Sequence, residues 1–262
     1  AIYVREHANK GIFADYTINQ NELVQEAINN VDQDKIKSTI EKLSSFHNRY
    51  YKSTTGVASQ AWLKSKWEEL TKGRDDASVD YFNHSDWPQP SVILTIKGNE
   101  NPDEIVVIGG HADSIAGYWD RAHARAPGAD DNASGIATVT EIIRVLVETS
   151  FRPAKTIMFM GYAAEEVGLL GSRAIARQFR SNNKTVVGVL QLDMTNFNGS
   201  DLDIVMMTDY TNRDQNAFLG TLIDEYIKVP WGYDKCGYGC SDHASWHNSG
   251  YPASIPFEAK MR

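Results

Sequence analysis

The sequence predicts an α/β fold, a single domain whose mostly parallel mixed central sheet is flanked by helices. Three observations carry this. Short continuous apolar runs, several ending in glycine, alternate with stretches whose apolar residues recur at three-and-four spacing. The continuous runs suit strands buried on both faces, as in a sheet covered by helices on either side. No internal repeat and no linker rich in Pro, Gly or Ser interrupts the alternation, so residues 1–262 form one expected domain.

In chain order, residues 1–20 are polar and patternless and form an expected N-terminal extension. Residues 21–46 carry two helical patterns, with Leu23, Val24, Ala27, Ile28 and Val31 in the first and Ile36, Ile40 and Leu43 in the second. Asp32 or Asp34 caps the second helix. Residues 57–70 form another, with Ala58, Ala61, Trp62, Leu63, Trp67 and Leu70 at helical spacing and Gly73 beyond its end. The period then changes. Residues 91–98 and 104–110 are strand-like, 133–147 helical, 155–161 a buried strand and 169–179 helical. Residues 186–192 and 203–208 are strands, 216–227 is a helix, and 254–259 is a last strand.

Composition narrows the functional classes. The formal charge of −8 argues against a nucleic-acid binder, which needs a basic surface to release counterions. No run of 18 apolar residues is present, so no membrane-spanning helix is expected. The chain starts without Met and without the basic and apolar segments of a signal peptide, as a processed or trimmed chain does. Cys236 and Cys240 are its two cysteines, and composition alone leaves them open between free thiols and a short disulfide loop.

Ligands of open α/β sheets bind beyond the carboxyl ends of the strands. There the sequence places His111 and Asp113 after one strand, Glu165 and Glu166 after a second, and Asp193 after a third. A loop between the first two ends in Asp130-Asp131-Asn132 at the start of a helix. Each residue alone has an ordinary explanation: a loop histidine, a solvated acid pair, an N-cap, a turn. Together, unpaired acids at one sheet edge repel one another and are costly to desolvate. A divalent cation relieves that, and imidazole plus carboxylates without thiolate suits catalytic Zn²⁺, Mn²⁺ or Co²⁺.

The runs Gly109-Gly110-His111-Ala112-Asp113-Ser114, Pro127-Gly128-Ala129-Asp130-Asp131-Asn132-Ala133-Ser134-Gly135, Tyr162-Ala163-Ala164-Glu165-Glu166-Val167-Gly168-Leu169, Leu190-Gln191-Leu192-Asp193-Met194-Thr195-Asn196 and Cys236-Gly237-Tyr238-Gly239-Cys240-Ser241-Asp242-His243-Ala244-Ser245-Trp246 resemble secreted bacterial leucyl aminopeptidases with a co-catalytic di-zinc site. The resemblance covers residues 35 to 260, with five motifs in order. It implies that Asp131 bridges two Zn²⁺ ions, that His111 and Asp193 complete one site, that Glu166 binds the other ion, and that Glu165 is the general base. It implies a cis peptide between Asp131 and Asn132. Asp113 is placed to accept the second N–H of His111. His243 lies in a matched motif and is expected in a supporting role.

The same likeness implies an apolar pocket from Met194, Tyr238, Cys240, Ile255 and Phe257, a preference for Leu and other large apolar first residues, and a Cys236–Cys240 disulfide in a secreted, extracellular monomer acting on peptides. In that family a further segment follows the last strand and supplies a histidine to the second metal. Here the chain ends at Arg262, so a missing C-terminal segment and a weakly held second ion are expected. Two alternatives stay open: a catalytically impaired peptide- or metal-binding module, and a carboxypeptidase- or glutaminyl-cyclase-like enzyme. No arginine lies inside the matched motifs to take a substrate carboxylate.

Overall fold

A computed structural model describes residues 17–261. Most of the expected N-terminal extension, with His7, therefore lies outside the described residues.

Helix α1 (Asn21–Asn29) is followed by α2 (Gln33–Ser45), whose Asp32 side chain accepts the Asp34 N–H at 2.8 Å. Helix α3 (Thr54–Leu70) starts three residues earlier than its apolar pattern because Ser53 caps it, accepting the Gly56 N–H at 2.8 Å. The chain then forms β1 (Ala77–Phe82), β2 (Ser91–Ile96), β3 (Asn101–His111), α4 (Gly135–Glu148), β4 (Lys155–Tyr162), α5 (Leu170–Ser181) and β5 (Thr185–Gln191). It continues with β6 (Ile204–Met207), α6 (Arg213–Leu222), β7 (Trp231–Asp234), α7 (His243–Asn248), β8 (Ala253–Ser254) and β9 (Pro256–Phe257).

The main sheet has six strands in the order β1-β2-β4-β3-β5-β8. β3 pairs in parallel with β4 and β5, and β5 with β8, while β1 and β2 add antiparallel pairings at one edge. Both faces are covered, which is why the sequence runs are continuously apolar. Leu43, Leu63, Trp67, Leu94, Ile136, Ile143 and Phe159 fill one side, under α2, α3 and α4. Ile105, Val107, Met160, Ile175, Val186 and Trp246 fill the other, under α5 and α7. The indole N–H groups are satisfied inside these cores: Trp67 donates to Thr140 and Trp246 to Tyr162.

Three expectations are corrected. The strand at 203–208 does not join the main sheet; as β6 it forms a separate three-stranded sheet, order β7-β6-β9. The single strand expected at 254–259 is two short ones, because the chain changes sheets at Ile255. Ser254 pairs with Leu190 in the main sheet, and Pro256 with Met206 in the small one. The helix expected over 216–227 begins at Arg213, where Asn212 caps it, and widens to a π-type turn over Ile223–Ile227. No helix among the described residues is long and apolar enough to cross a membrane.

Candidate active site

The parallel strands β3, β4 and β5 all point their carboxyl ends to one edge, and the loops leaving them converge there. His111, the last residue of β3, is buried. Its Nε2 lies 3.0 Å from Asp131 Oδ1, 3.4 Å from Asp193 Oδ1 and 3.8 Å from Glu165 Oε2. His111, Glu165 and Asp193 each offer a ligand atom within 4.8 Å of one another. Asp131 and Glu166 line the same cavity of about 430 Å³, so the sheet edge unites all five residues singled out in the sequence.

Local structure explains the convergence. Around Asp131 the chain leaves helical geometry (Asp131 φ −99°, ψ 97°), and the Asp131–Asn132 peptide is cis, as the resemblance implied. Asn132 is the clamp. Its Nδ2 donates to the Leu192 carbonyl at 3.0 Å, and its Oδ1 accepts the N–H groups of Gly135 at 2.9 Å and Met194 at 3.2 Å. One amide thus ties the Asp131 loop to both sides of Asp193. Gly135 is required by this close approach, since a Cβ there would lie 2.2 Å from the Leu192 carbonyl oxygen.

Asp113 does more than expected. The His111 Nδ1 sits 3.2 Å from the Asp113 backbone carbonyl and 3.5 Å from its carboxylate. The carboxylate itself accepts the N–H groups of Glu165 at 2.9 Å and Glu166 at 3.2 Å, fixing the turn that carries both acids. Arg49, which the sequence did not mark, is fully buried behind the site. It donates to the carbonyls of Ala112, Pro127, Gly128 and Leu43, so it holds the His111–Asp113 segment against the loop that leads into Asp131. Burial lowers its pKa to about 10, opposed by Asp113, Asp131 and Glu166. A lone Arg in a polar stretch gives no periodic signal, and only its burial reveals the role.

Asp193 is oriented by Ser241, which donates to its Oδ2; Gln191 in turn donates to Ser241 and to buried Asp242. The other Asp193 oxygen is buried without a hydrogen-bond partner. His243 contributes no ligand atom to the cluster; its Nε2 lies 3.1 Å from the Asp209 carbonyl. His123 is exposed and paired with Asp120.

Electrostatics point the same way. Burial, then Asp242, Asp193 and Asp113, push the Glu165 carboxyl up to about 10 against the pull of His111. Burial and the neighbouring acids raise Glu166 to about 8 and Asp242 to about 7. Burial disfavours the charged His111 ring, but Asp193, Glu165, Asp113 and Asp131 outweigh it and hold its pKa well above 6.5. Asp131 is lowered, because His111 outweighs its burial. The folded metal-free chain therefore binds more protons than the unfolded chain between the ordinary carboxylate value of 4.5 and the raised values. Its stability is greatest below that window and falls as pH rises through it. Melting temperatures of the metal-free chain should drop from about pH 5 to pH 9, and added zinc should flatten the slope. A melting temperature that rises over this window contradicts the assignment.

The residues expected to form an apolar pocket come together at the same cavity as the acids. Met194, Tyr238, Cys240, Ile255 and Phe257 all line the cavity. Ile255 is at the same time a core residue, 1% exposed and packed with Val205 and Met207. Cys236 and Cys240 are disulfide-bonded, closing a loop around exposed Tyr238.

Residues 91–260 match the model of peptidase family M28. The chain belongs to that family. It is 36% identical over 253 residues to a probable aminopeptidase of Saccharomyces cerevisiae, covering 94% of this chain and 67% of that one. It is 40% identical over 257 residues to leucine aminopeptidase 1 of Metarhizium robertsii, covering 93% of this chain and 64% of the relative. The crystal structure of the Legionella pneumophila LapA aminopeptidase superposes with a TM-score of 0.85 at 37% identity, covering 94% of this chain and 66% of that one. The chain thus spans about two thirds of the length of these relatives. The mixed α/β architecture is the one this M28 chain shares with solved aminopeptidases, including one from Aneurinibacillus at a TM-score of 0.70.

Proposed function

We propose that this M28 chain is a zinc-dependent aminopeptidase, one catalytic domain that removes Leu and other large apolar first residues from peptides. The observation that carries the reading is the convergence of His111, Glu165 and Asp193 ligand atoms within 4.8 Å of one another, with Asp131 beside His111 and an Asp193 oxygen that makes no hydrogen bond. An acid oxygen with no hydrogen bond, facing the His111 ring at 3.4 Å among acids whose pKa values are raised, fits a bound cation. The donor set, one imidazole with carboxylates and no thiolate, fits zinc in a catalytic role. His111, Asp131 and Asp193 would hold one ion, and Asp131 with Glu166 would hold a second. Bound zinc supplies a water of near-neutral pKa and polarises the scissile carbonyl. The chain's own groups do the rest. Asp113 and Arg49 fix His111 and the two-glutamate turn, Glu165 takes a proton and returns it to the leaving amine, and Met194, Cys240 and Phe257 receive the first side chain. The disulfide supports an extracellular location, where such bonds persist.

The deciding assay is release of p-nitroaniline from leucine p-nitroanilide. Activity should disappear with a chelator and return with zinc. Full turnover by rigorously metal-free protein overturns the proposal. The alternative of a silent binding module predicts no turnover at any zinc concentration.

A further inference from the structure

Helix α5 begins at the wall of the catalytic cavity and carries Arg173, Arg177 and Arg180 along one side. The three arginines line a groove of about 730 Å³ floored by the end of α7, with Ser181, Ser249 and Asn248 beside them. Among the described residues none of the three meets a carboxylate at ion-pair distance. The chain as a whole carries 34 acids against 26 basic residues, so acids are not scarce elsewhere. The reason is visible in sequence: residues 167–192 and 243–257, which build both sides of the groove, contain no Asp or Glu at all. Arg74, Arg144 and Arg152, by contrast, each pair with a carboxylate.

The groove is joined to the active site. Leu169, which precedes α5, lines both the groove and the catalytic cavity. Arg180 lies 11 residues along from Leu169, or about 16 Å of helix rise, a span that about five extended peptide residues cover. The 430 Å³ cavity accommodates only the first residue or two, so the remainder of a peptide must leave it across its rim.

On the aminopeptidase reading above, we propose that the α5 groove is the binding track for the downstream part of the substrate, and that it selects peptides with Asp or Glu two to six residues after the scissile bond. Arginine forks match carboxylates, and three in line read an acidic stretch rather than one acid. The acidic cavity itself repels such chains, so the preference arises outside it.

The test compares Leu-Gly-Glu-Glu-Glu with Leu-Gly-Gln-Gln-Gln, following released leucine by mass spectrometry, with leucine p-nitroanilide as a substrate too short to reach the groove. At low salt the acidic peptide should have a KM roughly 10-fold lower, fading as salt is raised. The triple variant Arg173→Gln, Arg177→Gln, Arg180→Gln should abolish that difference and leave leucine p-nitroanilide turnover unchanged. The triple Arg→Glu variant should instead favour Leu-Gly-Lys-Lys-Lys. Anisotropy of the same peptides, labelled at their C-termini, reads the groove even in protein without turnover. This separates failure of the groove from failure of the aminopeptidase assignment. Equal KM and equal binding for the acidic and neutral peptides, or a preference that survives the Gln variant, overturns the proposal.

Discussion

Replacing Glu165 by Gln should lower kcat for leucine p-nitroanilide by about 10²–10⁴-fold, the range that loss of a general base produces. The change preserves size and removes only the group that carries the proton. Glu165 is not where an idle surface acid would be: its side chain is mostly buried, 3.8 Å from His111 Nε2, on a turn held by Asp113. On the proposed function KM should change little, because that reading has other residues receive the first side chain. Metal content measured on the same variant separates two roles. Because Glu165 also lies within 4.8 Å of the His111 and Asp193 ligand atoms, a ligating Glu165 would lose an ion on substitution, whereas a base leaves it bound. A variant with near-normal kcat shows that another group moves the proton.

Replacing Arg49 by Met should cost stability on the order of 3–5 kcal/mol, since buried carbonyls left without donors each carry a desolvation penalty. The guanidinium donates to four carbonyls; those of Ala112 and Pro127 lose their donor with it, while those of Leu43 and Gly128 keep the N–H groups of Phe46 and Ala133. Arg49→Lys should recover only part of the loss, because one ammonium does not reproduce a planar fork spread over four acceptors. Urea denaturation of the metal-free chain is the measurement. A loss below about 1 kcal/mol, the net value of one ordinary hydrogen bond, shows that water or a neighbour replaces the guanidinium.

What was legible in sequence follows from pattern strength. Strands β2 to β5 are buried on two faces and announce themselves as apolar runs. β1 was missed because it is an edge strand with alternating half-exposed residues, among them Asp80 and exposed Tyr81. β7 and α7, at four and six residues, are too short to show a period. The small sheet was invisible because its pairings join distant segments, 204–207 with 231–234 and 256–257. At the site, the reactive residue types were readable from their positions after strands. Their supports were not: the Asn132 clamp, the double duty of Asp113 and buried Arg49 act through backbone groups, which sequence pattern does not record.

The change of sheets at Ile255 divides the molecule's labour. His111, Glu165, Glu166 and Asp193 stand on the carboxyl edge of the six-stranded sheet, and Asp131 is anchored to it through Asn132. Phe257 belongs to the three-stranded sheet, and the disulfide loop bearing Tyr238 leaves that sheet from β7. The acid cluster thus stands on one sheet and much of the apolar wall on the other, and the two are linked through Ile255, through Met194 beside Asp193, and through Ser241, which donates to Asp193.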